Sequence, residues 1–184
     1  MKKVTHIINW HINRNILRQA LNLIPWFSNK STYRYEFEFT ESCKYCESEL
    51  NQLVMGDDCK DWSKLLGISF FPTWNAQKNS VMLAWRHHPE EGLQVQPYLH
   101  TYKKGTPVYD KYTPMNVKAG VKYKVKINIR KGVMRVSYGE NYSEWNTLSN
   151  RVYKPTKLRR QVNSWFGGNR KAPQDIELYI QRLN

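Results

Sequence analysis

Polar and apolar positions alternate along most of this chain, and the period changes once. Residues 12–27, INRNILRQALNLIPWF, set Ile12, Ile16, Leu17, Ala20, Leu21 and Ile24 at helical spacing, with Arg14, Arg18 and Asn22 elsewhere. That spacing predicts a basic amphipathic helix, ended by Pro25. From residue 33 the period is two. In YRYEFEF (33–39), Tyr33, Tyr35, Phe37 and Phe39 alternate with Arg34, Glu36 and Glu38. Further strands are predicted at ISFFPTW (68–74), SVMLAWR (80–86), LQVQPYLHTY (93–102), VKYKVKINI (121–129), VMRVSY (133–138) and DIELYIQ (175–181). Turn residues separate them, as at HHPEEG, KKGTP and VKAG, and RKG (130–132) marks the surest hairpin. The stretch 40–66 is polar, acidic and cysteine-bearing, and reads as a long excursion closed by a short helix at KDWSKLL. The expected fold is all-β: an antiparallel β-sandwich or jelly roll over residues 31–184, preceded by an N-terminal helical arm over 1–30.

Composition adds size and partners to that picture. With 184 residues, 40% of them apolar and 14% aromatic, the chain can bury one substantial core. The formal charge of +14 speaks to partners: other subunits of an assembly, an anionic glycan or nucleic acid. Two segments hold most of the excess. Residues 111–135 carry eight cations and no acid, and residues 146–174 carry seven and no acid. His6, Asn9, His11 and Asn13 interrupt any signal-peptide core, and no run is long enough to span a membrane. Three cysteines, an odd number, suit a reducing compartment, so a virion or host cytoplasm is expected.

SCKY (42–45), KLLGISF (64–70), the strand ending AWR (84–86) and WFGGNRKAPQDIELYI (165–180) carry a resemblance. With them the chain resembles concanavalin A-like jelly rolls, most of all small proteins of gut Bacteroidetes and their tailed (crAss-like) phages. The resemblance covers roughly residues 33–184 and implies a jelly roll whose first and last strands lie side by side, pairing YRYEFEF with DIELYIQ. It also implies a viral or bacterial setting. Where many such sandwiches have a His before the Asp of the last strand, this chain has Gln174.

The candidate chemistry is sparse. Cys43 and Cys46, with Cys59 downstream, have the spacing of half a zinc site, but no second CxxC or His pair completes it, so three reduced cysteines and no metal are expected. Lys122, Lys124 and Lys126 share one strand face about 6.6–6.8 Å apart, near the spacing of phosphates along a nucleic-acid strand. With Arg159 and Arg160 they form the candidate anion-binding set. Gln94, Gln96, Tyr98 and His100 share one face opposite Leu93, Val95 and Leu99. Together with Arg86 from the neighbouring strand they offer planar hydrogen-bond partners and a ring, as a sugar requires. Arg170 and Lys171 stand on the outside of the closing loop as further partner-binding candidates. Trp85 shares parity with Val81 and Leu83, as a core tryptophan would.

For catalysis, Arg86, Gln96, Tyr98 and His100 are the residue types of a lyase acting on an anionic polysaccharide. The Gln-Ile-His triplet typical of alginate lyases is only echoed by QVQ (94–96). Glu36 and Glu38 are the one carboxylate pair of hydrolase spacing, and they lie without a cleft-forming tryptophan. No phosphate loop, nucleophile elbow or HExxH is present. The leading expectation is therefore a non-catalytic interaction module without cofactor: a phage structural or accessory protein docking through its basic faces and arm. A carbohydrate-binding module, or a polysaccharide lyase, is the alternative.

Overall fold

The computed structural model describes residues 1–6, 24–71, 79–100, 107–108, 114–129, 134–138, 143–148, 156–167 and 170–183. Two antiparallel sheets face each other. The first runs β1 (Lys2–His6), β13 (Ile176–Leu183), β3 (Thr32–Phe39), β9 (Lys122–Asn128), β10 (Met134–Tyr138) and β11 (Ser143–Leu148). The second runs β2 (Trp26–Phe27), β12 (Leu158–Val162), β4 (Ser63–Phe70), β5 (Ser80–His88), β6 (Gly92–His100) and β7 (Pro107–Val108), with β8 (Met115–Asn116) also on β6. The chain is a jelly-roll β-sandwich. YRYEFEF does pair with the last strand, with Phe37 opposite Ile180 and Phe39 opposite Leu178. The strands on either side of RKG pair as a hairpin.

Period two places the core. Tyr33, Tyr35, Phe37 and Phe39 turn inward from β3 and meet Leu66, Ile68, Phe70, Val81, Leu83 and Trp85 from the opposite sheet. Trp85 is fully buried, with ring centres of Phe39 at 5.1 Å, Tyr45 at 5.8 Å and Phe166 at 6.3 Å. The inward tyrosines satisfy their hydroxyls: Tyr33 donates to Ser28 Oγ at 3.2 Å and Tyr35 to Gln161 Oε1 at 3.3 Å. Pro97 sits inside β6 where, among the described residues, neither β7 nor β8 pairs with it. β8 pairs with Gln94 and Val95, β7 pairs with Leu99 and His100, and the gap between them falls at Pro97.

Three expectations need correction. The arm over 1–30 is not separate at its ends, since Lys2–His6 pairs with β13 and Trp26–Phe27 with β12. Most of the expected helix over 12–27, namely residues 12–23, lies outside the described residues. KDWSKLL is no helix: Gly56–Lys60 is a 3₁₀ turn and β4 starts at Ser63. The helix of the excursion lies earlier, as α1 (Glu49–Met55), capped by Ser48, whose Oγ accepts from the Asn51 N–H at 3.1 Å.

The third correction concerns the cysteines. Cys46 and Cys59 form a disulfide across 13 residues, so the expected trio of reduced thiols and the half zinc site both disappear. Cys43 is buried, its Sγ donates to the Glu177 carbonyl at 3.1 Å, and burial pushes its thiol up to about 12. The excursion links β3 of one sheet to β4 of the other, and its first half is tied down by hydrogen bonds. Gln174 donates to the Ser42 carbonyl at 2.8 Å and accepts from Asn51 Nδ2 at 2.9 Å. Between those two contacts the Cys46 N–H donates to His87 Nδ1 at 3.0 Å.

That last bond makes the fold sensitive to acid. Burial lowers the pKa of His87, with Lys44 and His88 adding to the effect and Glu47 opposing it. An imidazole that accepts at Nδ1 is neutral there. The folded chain thus holds back a proton that an unfolded histidine takes up near pH 6.5. Stability from this site is complete above that value and declines as pH falls below it, by up to about 1.4 kcal/mol per unit. Thermal melts between pH 7 and pH 5 are expected to show a steeper fall in Tm for the native chain than for His87→Gln. Parallel slopes would assign the acid sensitivity elsewhere.

Candidate functional site

The outer face of the second sheet can be read as rows across its strands. One row holds Arg160, Ser69, Ser80 and His100, and the next Val162, Gly67, Met82 and Tyr98. The third holds Lys64, Ala84 and Gln96, and the fourth Arg86, Gln94 and Asn116. Rows on the same face lie about 6.8 Å apart along the strands. Unlike an ordinary solvated face, this one is largely covered: Met82 is 1% exposed, Gln96 4% and Tyr98 5%. Met82, Ala84, Tyr98 and Val162 pack with Trp62 into a second apolar cluster on this side of the sheet. Gly67 makes room for it, because Met82 crosses β4 where a side chain would otherwise stand.

Two cations sit on aromatic rings here. Lys64 Nζ lies 4.6 Å from the centre of the Tyr98 ring and donates to the Trp62 carbonyl at 2.7 Å. Burial lowers the Lys64 pKa, and Asp61 opposes the shift. The Arg86 guanidinium lies 4.4 Å from the Trp62 ring. It donates to Gln94 Oε1 at 2.9 Å and to the Lys60 carbonyl at 2.8 Å, and stands 3.8 Å from Glu91. Gln94 is fixed in turn, since its amide donates to Glu91 at 2.7 Å and to Asn116 at 2.9 Å. A half-buried amine against a phenol, beside a clamped guanidinium and a buried amide, can move a proton and neutralise a carboxylate.

Of the residues expected at a ligand face, Arg86, Gln94, Gln96 and Tyr98 do come together. His100 joins them through its backbone opposite Ser80, while its side chain lies outside the described residues. Arg160 stands on the same face, with its pKa lowered by burial. Arg159 does not. It points inward, 7% exposed, between the Tyr33 and Phe70 rings, and donates to the Tyr33 hydroxyl and to the Lys30 and Thr156 carbonyls. A guanidinium spent on internal acceptors holds no external anion. Lys122, Lys124 and Lys126 lie on the other sheet, where Lys122 is opposite Glu38 and Lys124 opposite Glu36. The carboxylate pair and the lysine stripe answer each other across one ladder, far from the cluster around Lys64. Arg170 and Lys171 are exposed on the closing loop, and Arg170 reaches to 3.8 Å from Asp58. Lys64 and Trp62 were not among the expected site residues.

No protein-family model and no curated sequence matches the chain. Solved structures do. An alginate lyase, Aly36B, superposes with a TM-score of 0.62 at 11% identity, covering 98% of this chain and 78% of its own. The fold is one that alginate lyases share. A lysine-and-tyrosine double-alanine variant of that enzyme is known with an alginate tetrasaccharide, and matches at TM-score 0.59 and 13% identity over 98% and 78% of the two chains. An alginate lyase from Klebsiella pneumoniae gives 0.51 at 11% identity over 83% of this chain and 59% of its own. A Bacillus licheniformis β-glucanase gives 0.51 at 8% identity over 85% and 66%. At such identities the likeness establishes the fold. The expectation of a non-catalytic chain is corrected on this finding, since the solved structures that share its fold include alginate lyases and a glucanase. The carbohydrate reading is favoured over that of a virion component. Among the described residues, no helix is long and apolar enough to cross a membrane.

Proposed function

We propose that the chain is a polysaccharide lyase that cleaves an anionic, uronate-containing glycan by β-elimination on the outer face of the second sheet. The observation that carries this reading is the placement of Lys64 against Tyr98, beside Arg86 and Gln96. β-Elimination needs a base for the proton at C5 of the uronate, an acid for the leaving oxygen at C4, and a group that neutralises the carboxylate. The half-buried Lys64 amine, whose pKa is lowered, takes the C5 proton. The freed electron pair forms the C4=C5 double bond, and the C4–O bond breaks. The departing oxygen receives the Tyr98 hydroxyl proton, while Gln96 and Arg86 hold the carboxylate onto which charge spreads. The alginate lyases of this fold support the same substrate class. The disulfide further supports a place of work in an oxidising compartment.

The test is the ultraviolet absorbance of the unsaturated product when the purified chain meets alginate, pectate or hyaluronan. Turnover of at least one is expected, rising with pH to a plateau reached below the usual lysine range. Lys64→Ala and Tyr98→Phe are each expected to lower kcat about 100-fold or more, with the far-ultraviolet circular dichroism unchanged. No product from any polyuronate, or unimpaired Lys64→Ala, refutes the reading.

A further inference from the structure

We infer that Trp165 is a stacking platform for a sugar ring in the subsite next to Lys64, an inference that rests on the lyase reading. Lys64 and Trp165 form an isolated antiparallel bridge, with N–H···O bonds of 2.8 Å and 2.9 Å in the two directions. Residues paired in this way project their side chains to the same side of the sheet. Trp165 thereby extends the third row, which reads Trp165, Lys64, Ala84, Gln96. The small, buried Ala84 leaves that row shallow between Lys64 and Gln96.

Trp165 is 40% exposed, whereas its neighbour Phe166 is sunk in the core at 1%. The glycine that follows shapes its setting. A Cβ on Gly167 would lie 3.4 Å from Trp165 Cδ1 and 3.3 Å from the Trp62 carbonyl, so the indole edge rests close over a bare backbone. A wide indole one strand from the proposed base suits the C–H face of a pyranose, which stacks on an aromatic ring while its hydroxyls and carboxylate turn to the polar groups beyond. The ligand class is a pyranose of the glycan adjoining the one that loses its proton.

Stacking of this kind does not depend on ionic strength, whereas the contacts of Arg86 and Arg160 with carboxylates do. The distinguishing experiment is calorimetric binding of an alginate tetrasaccharide to Lys64→Ala, which holds substrate without turning it over, and to Lys64→Ala/Trp165→Ala. The double variant is expected to bind about tenfold more weakly with the same salt dependence, and Trp165→Phe is expected to restore most of the affinity. In the otherwise native chain, Trp165→Ala is expected to raise KM more than it lowers kcat. Equal affinity with and without the indole overturns the inference and leaves the lyase reading intact if native turnover persists. Absence of both turnover and binding in the native chain removes the two together.

Discussion

Gly67→Ala is expected to destabilise the protein by about 3 kcal/mol. An added Cβ would stand 2.3 Å from the Val81 carbonyl oxygen and 2.7 Å from both Met82 Cα and Met82 Cγ. Two of these three are backbone atoms of the neighbouring strand, so no rotamer change relieves the collision. β4 and β5 would have to part in the middle of the second sheet, beneath the cluster that carries Tyr98. At 2–4 °C per kcal/mol for a chain of this size, Tm should fall by roughly 6–12 °C. Gly92→Ala is the control. Its φ of +79° strains an alanine, but nothing lies within 4 Å of the added atom, and a loss of about 1 kcal/mol is expected. Equal melting of the two variants would mean that the sheet yields at Gly67 and that close approach is not the reason for glycine there.

Breaking the disulfide should affect stability and activity together. Opening a bridge across 13 residues is expected to cost about 3 kcal/mol by releasing the unfolded chain. It also frees the excursion where Lys60, next to Cys59, offers its carbonyl to Arg86. Cys59→Ser, or reduction of the native chain, should therefore lower Tm and weaken polyuronate turnover, mainly through KM. Lower stability with unchanged kinetics would separate the bridge from the site. The buried Cys43 gives this experiment a quiet background, because native protein should show no thiol readily modified.

Much of the sandwich was legible because most of its strands bury one face and expose the other. YRYEFEF, DIELYIQ and VKYKVKINI obey period two, and the structure pairs them as neighbours. The site was half legible. Gln94, Gln96 and Tyr98 declared themselves by sharing parity, but their depth did not, since alternation cannot tell a solvated face from a covered one. Lys64 was hidden by a bulge. The register shifts between Lys64 and Leu66, so Leu65 and Leu66 both turn inward and SKLL loses its alternation. Two adjacent leucines beside a charged turn then read as a helix end. Arg159 misled in the opposite way, because its inward direction follows from pairing with Phe70, which no local pattern reveals. The disulfide depended on the excursion folding back on itself, and an odd cysteine count pointed elsewhere.

The pairing of Glu36 and Glu38 with Lys124 and Lys122 has a consequence for how a substrate arrives. Along that ladder, on the outer face of the first sheet, two of the cations face carboxylates, Lys126 lies opposite Arg34, and Lys3 meets Glu177 at 2.5 Å on the same sheet. The outer face of the second sheet keeps Arg86, Lys64 and Arg160, with Glu91 alongside Arg86. Both broad sides of the molecule thus keep an excess of cations over carboxylates, in line with the formal charge of +14. A long polyanion is drawn to the molecule as a whole during its diffusive approach, before any contact forms. Encounter becomes faster, and its rate should decay as added salt shortens the reach of the field.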